Sequence, residues 1–494
     1  SHGGSMSGEH GDGRARGELL PAMYSAEAIG LFSSVKAIFD PQNLLNPGVI
    51  VHPARVDADL RLPLANPVMG AGGFSYPHDG GSFSTAVHRC VGIGKCRADT
   101  TATGGVMCPS YLATKDETHS TRGRARVLQE MANGTLVTDG WKSPEVAEAL
   151  DLCLSCKACS SDCPAGVDMA TYKAEALYQR YRRRRRPGSH YLLGWLPRWA
   201  RLATKTPRLA NAVTGRKSLA ALARRVGGID QRRPLPEFAT QSFRSWFAGH
   251  PVGVGDPVML WVDTFTNGFS PEVGKAAVAV LEDAGYSVRI PAGQVCCGLT
   301  WISTGQLDGA RRQLRRSLDA LESAIAQGIP IVGLEPSCTA VLRSDMVELL
   351  PDDHRAAGLK LATKTLAELL TERRWTPPPL AGIDAVAQPH CHQHAVMGFA
   401  ADEALLSHAG ASVRRLGGCC GLAGNFGVER GHYEVSVAVA EQSLLPAVRA
   451  ADERTVVLAD GFSCRTQLEQ LSDRTGIHLA QLLADHLKEQ GKTG

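Results

Sequence analysis

Cys153-Leu154-Ser155-Cys156-Lys157-Ala158-Cys159-Ser160-Ser161-Asp162-Cys163-Pro164 decides how this chain is read. Its cysteines follow C-x2-C-x2-C-x3-C-P. In that bacterial ferredoxin run, three thiolates hold one iron–sulfur cluster, the fourth serves a second cluster, and proline turns the chain. A zinc ribbon also uses C-x2-C pairs. Zinc has little use for a third and fourth cysteine so close, so the spacing predicts iron–sulfur ligation.

A second set precedes it: Cys90, Cys96 and Cys108-Pro109. A full run would place a cysteine three residues after Cys90, where Ile93 stands. Two-cluster proteins exchange the last cysteines of their runs. Cys108 is therefore expected beside Cys153, Cys156 and Cys159 on a [4Fe–4S] cluster, with Cys90, Cys96 and Cys163 left for another site. That second site is open between three readings: a [3Fe–4S] cluster with Ile93 at the vacant corner, a second [4Fe–4S] cluster with a non-cysteine ligand such as His88 or Asp99, and an empty site. The C-x2-Ile-x2-C pattern resembles the iron–sulfur subunit of succinate dehydrogenase. Eleven residues separate Cys96 from Cys108, and this insert, with Gly104-Gly105, is expected to loop out. Arg122, Arg124 and Arg126 then open a helical pattern. They either offset the charge of a thiolate-bound cluster or form a solvated helix start.

The 494 residues suffice for roughly three domains. A composition of 44% hydrophobic and 21% charged residues suits a globular protein with ample core. A net charge of +4 is too small to argue for nucleic acid. No apolar run reaches membrane-spanning length, and no secretory signal is recognised. Fourteen clustered cysteines point to metal-bound thiolates in a reducing cytosol rather than to disulfides. The expected location is cytoplasmic.

The chain enters at once into Gly3-Gly4-Ser5-Met6-Ser7-Gly8-Glu9-His10-Gly11-Asp12-Gly13, followed by Arg14. Glycine this dense means tight backbone turns or close approach to a ligand. An adjacent acid and imidazole suit a metal ligand and a base. A flexible linker is the plainer reading. The motif closely resembles the C-terminal motif of FAD-linked D-2-hydroxyacid dehydrogenases. Phe39-Asp40-Pro41-Gln42-Asn43-Leu44-Leu45-Asn46-Pro47-Gly48 looks like that domain's closing segment. The resemblance implies that Glu9 ligates a divalent metal beside the flavin and that His10 takes the substrate hydroxyl proton. It also implies an upstream FAD-binding half carrying the metal's histidine ligands. Residues 1–55 carry this relationship.

Residues 85–180 read as an α-helical ferredoxin-like domain and 181–254 as a basic connector. Arg182 to Arg186 form an unbroken run of arginines, and Trp195, Leu196, Trp199 and Leu202 recur at helical spacing. Such a helix can lie on an anionic membrane surface. The preferred reading packs its tryptophans on the flavin half, with the arginines in solvent. Residues 205–250 read as a long surface linker.

Beyond the connector, strand–helix alternation predicts parallel sheet with crossover helices. Met259–Asp263, Ser287–Ile290 and Pro330–Leu334 read as strands, leading to Cys296-Cys297-Gly298 and Cys338. The order repeats with Ala385–Ala387, Cys391, Cys419-Cys420-Gly421, the strand Thr455–Ala459 and Cys464. Cys297 and Cys338 are 41 positions apart, Cys420 and Cys464 44, as an internal duplication predicts. The pattern resembles the twin cysteine-rich (CCG) domain of heterodisulfide reductase and glycolate-oxidase iron–sulfur subunits. Residues 255–355 and 380–485 are the two repeats. Against that family's pattern, Gly461 replaces one cysteine of the second repeat, and Asp263 and Glu335 stand at vacant places in the first. The remaining cysteines are candidate ligands for a further cluster or zinc, or structural remnants. His390, His392 and His394 flank Cys391 as a ligand or proton relay, or as surface-loop residues.

The fold class expected is therefore multidomain α/β and α: the C-terminal piece of an FAD-linked oxidase, a two-cluster ferredoxin-like domain and a duplicated CCG domain. The function expected is the iron–sulfur electron-transfer portion of an FAD-dependent D-2-hydroxyacid dehydrogenase acting on D-lactate or D-2-hydroxyglutarate, with a quinone or cytochrome as acceptor. The alternatives are a stand-alone electron-transfer subunit and a non-enzymatic redox or metal sensor.

Overall fold

The computed structural model describes residues 3–60, 72–489 and 491. The chain divides into two compact units, Ser1–Ala65 and Asn66–Gly494.

In the first unit the helix Ala26–Phe39 starts at Ser25, whose hydroxyl accepts the Ala28 N–H at 3.3 Å. It stops at Asp40, whose carboxylate pairs with Lys36 and accepts the N–H groups of Leu44 and Leu45. Those contacts hold the pKa of Asp40 down to about 2. The helix buries none of its residues. Leu31, Val35 and Ile38, at i, i+4 and i+7, are 65%, 54% and 74% exposed. An apolar stripe at that spacing is a core-facing stripe in an ordinary amphipathic helix.

The second unit begins with short helices. Thr121–Asn133 is capped by Ser120 and Met169–Arg180 by Asp168. Phe83, Leu128 and Tyr172 fill the space between them, and the Tyr172 hydroxyl donates to the Ala86 carbonyl at 2.8 Å. Packing begins ahead of Cys90: Phe74 and Tyr76 are buried here, and the Phe74 N–H donates to Glu175 at 2.9 Å.

Seven strands follow: β1 (Asp256–Trp261), β2 (Tyr286–Arg289), β3 (Ile331–Gly333), β4 (Thr363–Thr365), β5 (Asp384–Ala387), β6 (Ser412–Arg415) and β7 (Val456–Leu458). They form two parallel sheets of order β2-β1-β3-β4 and β6-β5-β7. The common order is the expected duplication. A single parallel bridge, Leu458 to Ile477, stands where the first sheet has β4. Helix Pro271–Asp283 of the first repeat packs on helix Leu479–Glu489 of the second through Val273, Ala277, Leu281, Leu479 and Leu483. Each such large apolar side chain, fully buried, contributes roughly 1.5–3 kcal/mol, so this seam joins the repeats into one body.

The connector differs from its expectation. Residues 205–250 are not a plain linker but hold helices Pro207–Thr214, Lys217–Val226 and Phe243–Phe247. In the first two the apolar residues face mostly outward, and an alanine, Ala220, is what Lys217–Val226 buries, whereas Phe243–Phe247 buries Phe243 in the core with Trp246 and Phe247 packed against it. Trp195 packs on the first CCG repeat: its indole N–H donates to Gln306 at 2.9 Å, and Arg198 stacks over both Trp195 and Trp301.

Candidate iron–sulfur centres

The loop Cys153–Lys157 turns through left-handed residues Ser155 (φ 55°) and Lys157 (φ 59°), which swings successive thiols toward one space. Cys108 reaches it from the start of helix Pro109–Thr114. Cys108, Cys153, Cys156 and Cys159 line a small cavity of about 20 Å³. This is the set that exchange of the last cysteines predicts. The Met169 N–H points at the Cys159 sulfur at 3.3 Å. Arg124 is buried, with Nη1 3.6 Å from the Cys108 sulfur, Nη2 on Ser110 and Nε on the Ala149 carbonyl. Burial pushes the Cys156 and Cys159 thiols well up. Burial acts on Cys108 too, but the Arg124 guanidinium and neighbouring hydroxyls outweigh it and hold Cys108 below the usual thiol range. Of the three arginines, then, Arg124 faces these thiols. Arg122 pairs with Glu117 and lines a second cavity, and Arg126 pairs with Glu130.

Cys90, Cys96 and Cys163 line this second cavity of about 20 Å³, with Ile93 in its wall. The Arg122 N–H points at the Cys96 sulfur at 3.4 Å. Neither His88 nor Asp99 lines it. Asp99 instead caps Thr101 through its N–H and hydroxyl. The insert between Cys96 and Cys108 is tied back rather than looped free. The Val106 and Met107 N–H groups both donate to Asp162, at 2.9 and 3.0 Å, and the Gly105 carbonyl accepts from Gly418. Burial disfavours charge on Asp162, yet His394 and these two N–H groups hold its pKa down to about 2.

In the second CCG repeat Cys391, Cys419, Cys420 and Cys464 are all buried. Glycines with left-handed φ, Gly418 and Gly421, bracket the cysteine pair. Cys420 is drawn well below the usual thiol value, chiefly by hydrogen bonds from Cys419 and Cys464. A Cβ added at Gly461 would stand 2.3 Å from a ring carbon of His390, so this imidazole fills the place next to Gly461. The three histidines are not surface residues. His390 Nδ1 accepts the His392 N–H and caps helix Cys391–Val396, His392 Nε2 donates to the Ser155 carbonyl at 3.0 Å, and His394 Nε2 meets Asp162 at 2.8 Å. They form the seam that brings Cys391 against Cys156, whose thiol feels it electrostatically.

In the first repeat Cys297 and Cys338 have sulfurs 3.0 Å apart. Asp263 and Glu335 cap the helices that follow β1 and β3. Burial, then the nearby Glu335, lifts the pKa of Asp263 to about 6. Glu335 also accepts the Phe462 N–H of the other repeat at 2.8 Å. These groups border a larger cavity of about 210 Å³ shared by both repeats and the connector.

Among the described residues, no three His, Cys, Asp or Glu side chains converge as ligands of one metal ion. Several thiols around one small cavity, met by N–H groups and a guanidinium, fit polynuclear iron–sulfur groups held by thiolates. In the first unit, Glu9 and His10 are exposed side by side with 3.5 Å between carboxylate and imidazole. Sequence reasoning missed Lys157, buried within the ferredoxin run and paired to Asp168 at 2.6 Å and Asp345 at 3.1 Å. It also missed Arg233, buried and bonded to Gly427, Gln467, Gln470 and Ser436. A lone cation in a polar stretch carries no sign of its buried partners.

Fold and cysteine sets are those of an iron–sulfur protein. Residues 1–50 match the C-terminal domain of FAD linked oxidases, 86–167 a 4Fe-4S dicluster domain and 262–343 a cysteine-rich domain. The D-2-hydroxyglutarate dehydrogenase of Escherichia coli (strain K12) is 26% identical over 99% of this chain and 52% of its own length. One of the subunits of the anaerobic glycerol-3-phosphate dehydrogenase of the same strain is 28% identical over 58% of this chain and 74% of its own. A probable glycolate oxidase iron-sulfur subunit of Bacillus subtilis (strain 168) is 24% identical over 76% and 90%. The chain thus spans about half the length of the curated D-2-hydroxyglutarate dehydrogenases it matches.

Proposed function

We propose that this chain is the iron–sulfur electron-transfer portion of an FAD-dependent D-2-hydroxyacid dehydrogenase that converts D-lactate or D-2-hydroxyglutarate to the 2-oxoacid. One observation carries the reading: a single run, Cys153–Cys163, lines both ferredoxin-like cavities, and its Cys156 adjoins Cys391 of the cysteine-rich region. That continuity suits a relay of one-electron carriers. When bound, flavin accepts the substrate's hydride and the clusters carry single electrons onward.

The chain's own residues do the rest. Cys108, Cys153, Cys156 and Cys159 would hold a [4Fe–4S] cluster. Cys90, Cys96 and Cys163, with Ile93 in the wall, suit a [3Fe–4S] cluster. Cys391, Cys419, Cys420 and Cys464 would hold a further cluster, and Cys296, Cys297 and Cys338 a less complete one. His10 would take the hydroxyl proton, and Glu9 is the residue that would hold a divalent metal. The unpartnered stripe of Leu31, Val35 and Ile38 supports an FAD-binding half that covers it. No helix among the described residues is long and apolar enough to cross a membrane. The basic connector favours a peripheral place at the cytoplasmic face, delivering electrons to a quinone or a cytochrome. Similarity over 90% of a probable glycolate oxidase iron-sulfur subunit supports a second reading, a separate electron-transfer subunit.

The test is anaerobic purification with iron, sulfide and zinc measured per chain, and EPR before and after dithionite. A three-iron signal in the oxidised chain, replaced on reduction by a four-iron signal, is expected. Zinc with little iron or sulfide would overturn the reading.

A further inference from the structure

The cavity between the two cysteine-rich repeats is too large for a metal cluster alone. Its volume of about 210 Å³ compares with about 20 Å³ around Cys108, Cys153, Cys156 and Cys159. Its walls are mainly apolar, with Leu196, Ile229, Leu235, Phe265, Leu422 and Phe462 prominent. Its polar lining includes Cys297 and Cys338, with sulfurs 3.0 Å apart, the acids Asp263 and Glu335, and His390. His390 presents a donor there. Its Nδ1 accepts the His392 N–H, which leaves the proton on Nε2, 3.3 Å from Ser463 Oγ. A mostly apolar pocket with a few convergent polar groups is the usual form of a small-molecule site.

The connector that supplies Leu193, Leu196 and Ile229 to this wall has an unusual outer face. Leu219, Leu222 and Val226 stand at helical spacing and are exposed, the last two by 58% and 71%. Trp199, Leu202, Leu209 and Val213 are exposed on the two preceding helices. Between Arg180 and Val226 there are fourteen Lys and Arg and no Asp or Glu, in a chain whose net charge is only +4. Apolar stripes flanked solely by cations match an anionic lipid surface, which attracts basic residues and accepts apolar side chains.

We infer that this cavity is the acceptor site, and that it takes the ring of a lipid-borne quinone entering past the connector. This rests on the electron-relay reading and names its acceptor. The ring carbonyls would meet the His390 Nε2–H and the Asp263 and Glu335 carboxyls, with the isoprenoid tail along Leu196, Ile229 and Leu235. The reaction balances as quinone plus two electrons plus two protons giving quinol, in which each C=O becomes C–OH. The two electrons would be supplied one at a time by an iron–sulfur group that Cys296, Cys297 and Cys338 would hold, and the protons would come from solvent.

The test labels the full chain, clusters intact, with an azido-ubiquinone analogue in phosphatidylglycerol vesicles, followed by peptide mapping. Saturable labelling within 193–197, 229–236 or 422–428, competed by decylubiquinone, is expected. Labelling confined to the outer stripe at 199–226, or none that saturates, overturns the assignment. In a second measurement, I229W and L422W, which fill the cavity, are expected to weaken decylubiquinone binding at least tenfold with iron and sulfide per chain retained. Unchanged binding in both would sink the site. Neither measurement needs flavin or hydroxyacid, so failure here leaves the relay reading to be judged by its own EPR test.

Discussion

The two cysteine-rich repeats share a strand order, β2-β1-β3 against β6-β5-β7, yet put different chemistry at the ends of those strands. The second keeps four buried thiols and closes over them, with His390 filling the space beside Gly461 and its histidines seaming it to the ferredoxin-like cysteines. The first replaces thiols with Asp263 and Glu335, which serve as helix caps, and opens onto the large apolar cavity. One duplicated frame has thus become a site packed against the ferredoxin-like cysteines and a site that faces the cavity between the repeats. The difference comes from a few side chains at strand ends, because the parallel sheets fix where those ends lie while leaving the capping residue free to vary.

Metal content should break the comparison most sharply. Replacing Cys391 with Ala is expected to remove on the order of four iron atoms per chain, the content of one cubane cluster. Replacing Cys296 with Ala should remove fewer, because the first repeat holds its thiols beside acids. Equal losses would erase the distinction between the repeats.

Next in size is R233L. Arg233 ties the connector to the second repeat through four partners, and its removal strands buried acceptors. Urea titration should show a loss of about 3 kcal/mol or more. A smaller test is G461A, whose Cβ meets the His390 ring. A loss of about 1–3 kcal/mol is expected from overpacking, whereas S337A in the first repeat, lacking any such collision, should cost less.

The mildest effect is a pH dependence at the seam between Asp151 and the second repeat. Burial opposes charge on His432, but Asp151 at 3.2 Å and Glu429 at 3.3 Å outweigh it and raise its pKa from 6.5 to about 9. A pKa raised by folding means the folded state holds the proton more tightly. The stabilisation is therefore complete below about 6.5 and is lost as pH climbs through about 9. Thermal melts of the wild type and H432F should converge across that window. A gap that stays constant with pH would show that the imidazolium is not what holds the seam.

Much of this was legible in residue order. Cysteine spacing assigned the members of both ferredoxin-like cavities, since ligands of one cluster must lie close along a turning loop. The alternation of strands and helices, and the repeated cysteine intervals, gave the duplicated parallel sheets. The connector was misread as linker because the apolar residues of its helices Pro207–Thr214 and Lys217–Val226 point outward. The latter's buried face is carried by alanine, so the period that marks a core helix is missing there, while Phe243–Phe247 is too short to show one. Arg122, Arg124 and Arg126 looked alike in sequence, and only packing set Arg124 against Cys108 while its neighbours paired with glutamates.

The sequence by itself determined the cysteine sets, the iron–sulfur class and the internal repeat, because each is written in local spacing along the chain. Only the tertiary structure decided that the histidines around Cys391 form a buried seam, that Gly461 makes room for His390, and that both repeats and the connector enclose one apolar cavity. Those features depend on residues from distant segments meeting in space, and the free energy of burial and hydrogen bonding that selects such meetings leaves no trace in local order.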